Sequence, residues 1–146
     1  MKRIIAALAL FLAACGPKGS GATEIRVADA WARATAPDKK ATAAYFTIAN
    51  SGGAHDALVA VASSIGPAEV HSTSMDGGIM RMRKLDRLAV PKGATVKLEP
   101  GGTHVMLTGL VEPVKVGGNV DLTLRFEKSG ERKVAAAVRD SSGGQM

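Results

Sequence analysis

The sequence predicts an all-β fold, a β-sandwich or Greek-key barrel forming one domain. Three observations carry this. Short extended runs recur along the chain between Gly-, Pro- and Asn-rich breaks. No window holds a 3.6-residue amphipathic pattern long enough for a helix. A chain of 146 residues has room for one domain with one core.

The first stretch reads as an address rather than as part of that fold. Lys2 and Arg3 precede an apolar run over residues 4–14. Such a run is too short for a bilayer core of roughly 30 Å but suits a signal peptide. It ends in Leu12-Ala13-Ala14-Cys15, which resembles a bacterial lipobox. The expected division is residues 1–14 as signal peptide and 15–23 as a lipidated Cys15 with a flexible Gly/Ser/Pro tether. Residues 24–140 form the β-domain, and 141–146 a disordered tail. Gly16 follows the cysteine where an Asp would favour inner-membrane retention, so either membrane remains open. Cys15 is the single cysteine. With it lipidated, the domain has no disulfide, no thiol nucleophile and no thiolate ligand.

From residue 24 onward the expected strands are 25–30, 41–49, 57–63, 68–75, 79–84, 95–98, 104–107, 120–127 and 133–138. Their breaks are marked by Asn50-Ser51-Gly52-Gly53, Gly66-Pro67, Asp76-Gly77-Gly78, Pro91-Lys92-Gly93, Pro100-Gly101-Gly102, Gly117-Gly118-Asn119 and Ser129-Gly130. Asp76-Gly77 is a strong hairpin signal, because a two-residue type I′ turn needs positive φ at both centres. With that turn, His71 faces Met82 directly. With Gly77-Gly78 as the turn, His71 becomes a diagonal neighbour of Met82 on the same face. Either register keeps Thr73 and Met80 on that face and sends Arg81 and Arg83 to the other.

The stretch 70–110 concentrates the chemistry. It holds His71 and His104, and the four methionines away from the chain ends, Met75, Met80, Met82 and Met106. His104 and Met106, two apart, share one face of a strand. Thioether is a soft donor and imidazole a borderline one. Together they suit Cu(I) better than Zn(II), Mg(II) or Ca(II). The candidate ligands are His71, Met82, His104 and Met106, with Met75 and Met80 as auxiliary sulfurs, transient ligands or packing. The plain alternative is that the methionines fill the core.

Other classes fare worse. The formal charge of +6 falls to about +4 without Lys2 and Arg3, at 17 basic against 13 acidic residues. Those charges are scattered and lack interleaved aromatics, so no nucleic-acid footprint is expected. No paired carboxylates, Ser/His/Asp order or phosphate-cradling Gly loop stands out, so the chain is not expected to be an enzyme. His55 reads as an exposed loop histidine, and Trp31 and Tyr45 as core or rim packing. A blue-copper electron carrier needs a Cys thiolate beside two histidines, which this domain lacks.

At these residues the chain resembles the periplasmic copper chaperone PCu(A)C family. That motif is His, ten residues, Met, twenty-one residues, His-x-Met, and here it reads His71, Met82, His104, Val105 and Met106. Residues 29–33, 44–50, 78–83 and 100–110 are similar too, and the likeness spans about 25–139. The resemblance implies a cupredoxin-like Greek-key β-sandwich that binds one Cu(I) through two imidazoles and two thioethers. It implies copper delivery to an acceptor protein, a cytochrome c oxidase subunit or a thiol-containing assembly factor. The expected location is periplasmic, on a lipid anchor. A copper buffer or resistance protein uses the same ligands, and a metal-free β-sandwich lipoprotein is the third alternative. Neutral thioethers need no deprotonation, whereas both imidazoles must be neutral to bind, so affinity should fall below about pH 6.5.

Overall fold

The computed structural model describes residues 21–140. The expected signal peptide, Cys15, most of the tether and the tail 141–146 lie outside them. The described chain forms ten strands and no helix. They are β1 (Ile25–Arg33), β2 (Thr42–Asn50), β3 (Asp56–Ser63), β4 (Ala68–Asp76), β5 (Ile79–Lys84), β6 (Leu88–Val90), β7 (Thr95–Lys97), β8 (His104–Leu107), β9 (Asn119–Phe126) and β10 (Gly130–Arg139).

The strands hydrogen-bond in the order β5-β4-β8-β2-β1-β10-β9-β3-β6, with β7 on β2 beside β8. All pairs are antiparallel except β1 with β10. The sheet rolls until β3 and β4, from near its two ends, come into contact. One face of the roll becomes the interior. Alternation fixes which residues enter it: Val120, Leu122, Leu124 and Phe126 from β9, Ala44, Phe46 and Ile48 from β2, Val105 and Leu107 from β8. Burial of these side chains is the main drive for closure, at roughly 1.5–3 kcal/mol for each large one.

Two irregularities adjust the faces. Between Ala28 and Trp31, β1 carries one residue more than β2 opposite it. Asp29 sits there at φ 55°, in the left-handed region that non-glycine residues seldom adopt. The bulge switches parity: Ile25 and Val27 belong to the core set before it, Ala30 and Ala32 after it. β1 therefore continues to Arg33, past the expected end at residue 30. A second extra residue lies in β3 between Leu58 and Ala60. Strand β6 was not expected; its three residues are too few to show a period.

Asp56, 2 % exposed, ties β3 to the β9–β10 turn. Its carboxylate accepts from the N–H groups of Ala57, Lys128 and Ser129 and from the Ser129 hydroxyl. Burial pushes the carboxyl up, but those hydrogen bonds together outweigh it and hold the group below its ordinary value. A depressed folded value stabilises above the unfolded value and is lost as pH falls through the folded one. Asp56→Ala should therefore lower unfolding free energy by about 2 kcal/mol near neutrality. In denaturant titrations, the gap to the parent should narrow below about pH 4.

Candidate metal centre

The β4–β5 hairpin turns at Gly77-Gly78, both at positive φ (57° and 81°), with Asp76 opposite Ile79. Of the two registers the sequence allows, this is the second. His71 stands opposite Lys84, and Met82 opposite Thr73, so His71 and Met82 are diagonal neighbours rather than directly opposed. Glycine enters the left-handed region without steric penalty, and Asp does not. Given two adjacent glycines, the turn uses both.

Strand β8 completes the group. Val70 pairs with Val105, and both are buried in the core. Alternation sends the next pair, His71 with His104, to the opposite, outer face. Met106 stands opposite Glu69 on that same face. The two candidate thioethers thus flank His71 on opposite diagonals, Met82 from β5 and Met106 from β8. Diagonal neighbours lie roughly 7–8 Å apart, within reach of long side chains. The four motif residues share one face of three adjacent strands.

The imidazoles are close, with ring centres 6.0 Å apart and planes at 46°. Two rings sharing one ion through bonds of about 2 Å have centres roughly 6 Å apart. Each ring has a defined tautomer. His104, 6 % exposed, donates from Nδ1 to the Gly102 carbonyl at 3.0 Å, leaving Nε2 as the bare nitrogen. His71 donates from Nε2 to a Glu69 oxygen at 3.1 Å. Its Nδ1 is buried and has no hydrogen-bond partner. A buried lone pair without a donor is what a metal ligand presents before the ion arrives.

Glu69 is the member of this group that the motif did not flag. Its other oxygen accepts from Lys84 Nζ at 2.9 Å. The hydrogen bond from Lys84, then that from His71, holds the Glu69 carboxyl below its usual range; the same contact raises Lys84. The sequence cue was present: a carboxylate two residues before a histidine on a strand shares its face.

One step further along the β2–β8 register sets Tyr45 level with His104. Tyr45 is 4 % exposed and stacks on Trp31 at 4.5 Å between ring centres. Arg33 lies over Tyr45 and Arg139 over Trp31. Burial raises the Tyr45 phenol, against a smaller lowering by Arg33. The aromatic pair packs on itself and under the two guanidinium groups, as packing rather than as a ligand platform. His55 is exposed, and its Nδ1 accepts from Lys92 N–H far from the group.

The core-filler alternative fits poorly. Met75 and Met80 are each 66 % exposed and Met82 is 50 % exposed. Among the described residues, no three His, Cys, Asp or Glu side chains group as a metal site. Hard-donor coordination has no set of residues here, whereas a borderline-and-soft set does.

Fold and face together define a rolled β-sandwich carrying a histidine–methionine donor set on its outer surface. The family model described as "Putative lipoprotein LpqE-like" matches residues 25–138. The chain is 33 % identical over 127 residues to "Putative lipoprotein Lxx21020" of Leifsonia xyli subsp. xyli, covering 86 % of this chain and 75 % of that protein. Its fold is similar to the copper-bound PCuAC domain from PmoF2, with TM-score 0.68 and 28 % identity over 82 % of this chain and 96 % of that one. It is also similar to CuI-DR1885 from Deinococcus radiodurans, with TM-score 0.64 and 33 % identity over 80 % and 78 %. The protein belongs to the LpqE-like, PCu(A)C family, and its sandwich is cupredoxin-like.

The tautomers give a direct test. Long-range proton–nitrogen correlation on the metal-free protein, above neutral pH, should report Nε2–H for His71 and Nδ1–H for His104. Glu69→Ala should abolish the His71 preference and leave His104 unchanged.

Proposed function

We propose that this protein is a Cu(I)-binding metallochaperone that holds its ion on His71, Met82, His104 and Met106. The observation that carries this is the pairing of His71 with His104, each with one bare nitrogen, on a face flanked by two methionines. The copper-bound relatives named above support the choice of ion. Copper is here a substrate, taken up and passed on.

The ligand chemistry suits transport through an oxidising compartment, since thioethers form no disulfides. Carboxylate–histidine–metal relays orient the ring and raise its donor strength, and Glu69 is placed to do this for His71. Half-exposed Met82 offers an incoming thiolate access to the ion, and the more buried His104 anchors it. Stepwise exchange therefore releases Met82 early and His104 late. Exposure of Met82 favours delivery over sequestration.

The finer assignments follow the sequence. Cys15 carries the lipid, the domain works in the periplasm close to a membrane, and the acceptor serves assembly of a cytochrome c oxidase copper centre. The lipoprotein naming of the family supports the anchor.

Anaerobic titration of the full-length chain with Cu(I) against a competing chelator tests the site. One tight equivalent is expected. Changes outside the ligand shell alone typically weaken metal sites by about 10–100-fold, so His71→Ala and Met106→Leu should each weaken binding by on the order of 100-fold. Tight binding that both variants retain, or none in the parent, would sink the proposal.

A further inference from the structure

The β4–β5 hairpin carries more sulfur than the four-residue motif uses. Met75 and Met80 are directly opposed across it, on the face that holds Met82 and His71. Both are 66 % exposed, and every residue of β5 is exposed, so neither contributes to the core. Directly opposed side chains have Cβ atoms roughly 4.5–5.5 Å apart, close enough for two thioethers to share one soft ion.

The pair also has a definite position relative to the histidines. Going inward from the turn, this face presents Met75 with Met80, then Thr73 with Met82, then His71 beside His104. Successive same-face positions on a strand are separated by roughly 6.5–7 Å. Arg81, whose guanidinium pairs with Asp76, belongs to the opposite face with Arg83. The cation on the sulfur face, Lys84, is neutralised by Glu69. A monovalent soft cation on this face meets thioethers and no unpaired positive charge.

We propose that Met75 and Met80 form a second, weaker Cu(I) station at the hairpin tip, through which the ion enters and leaves the histidine-centred site by way of Met82. Two neutral thioethers bind a soft ion loosely, which suits a station that must pass it on. The shared ligand is Met82: it can swing between the outer pair and the imidazoles because methionine has three freely rotating bonds. This inference rests on the copper reading above.

The test uses the full-length chain in detergent micelles with methyl-labelled methionine, titrated with Ag(I) as a stable surrogate and with Cu(I). The first equivalent should move the His71 and His104 resonances. Beyond it, the Met75 and Met80 methyls should move together. A Met75→Leu/Met80→Leu variant keeps side-chain size and apolarity. It should retain the affinity of the histidine-centred site while its ion exchange with a small thiol chelator slows by on the order of tenfold. Stationary Met75 and Met80 methyls with unchanged exchange would overturn the station. So would slowing seen only with a protein acceptor, which would make the hairpin a docking surface. Were the first equivalent to leave His71 and His104 unmoved, the primary site itself would fail and take the station with it.

Discussion

The register of β4 against β8 is the constraint on which the candidate site depends. Val70 and Val105 are paired and buried in the core, so His71 and His104 are paired on the opposite face, His71 partly exposed and His104 covered. A slip of one residue in either strand would drive an imidazole into the hydrophobic core and a valine out of it, which is unfavourable. Ordinary hydrophobic burial thus fixes the separation of the two rings. The polar face then trims their chemistry. Gly102 and Glu69 each occupy one ring nitrogen, and the remaining nitrogen of His71 is left buried and bare.

Electrostatics around Glu69 complete this arrangement. Lys84 donates to the second Glu69 oxygen while the first accepts from His71, so the carboxylate is held between two donors. The sheet supplies the second donor by position, since Lys84 is the residue directly across from His71.

Much of the fold was legible because alternation, turn residues and strand length all pointed the same way. The strands at 79–84 and 104–107 have the expected bounds, since a Gly-rich turn precedes each. The end of β1 was not legible. The Asp29 bulge breaks the period of two, so a template of strict alternation stops at residue 30 although pairing runs on to Arg33. The three residues of β6 carry too little pattern. At the candidate site, the spacing put His71 and Met82 on one face under either hairpin register, and the structure sets His104 and Met106 on that face too. The sequence could not choose between Asp76-Gly77 and Gly77-Gly78, because the choice turns on the small penalty for Asp in the left-handed region. Glu69 and Asp56 were missed because their roles depend on partners from other strands, Lys84 in one case and the β9–β10 turn in the other.

The outward placement of the methionines governs how this protein would wear out. Oxidants reach exposed thioethers first, and each sulfoxide formed on Met75, Met80 or Met82 replaces a soft sulfur with a hard oxygen. None of the three sits in the core, so the sheet would stay folded while its taste for soft ions faded. Damage of this kind leaves no unfolded chain for a protease to recognise. Its repair falls to a methionine sulfoxide reductase able to act on an intact hairpin.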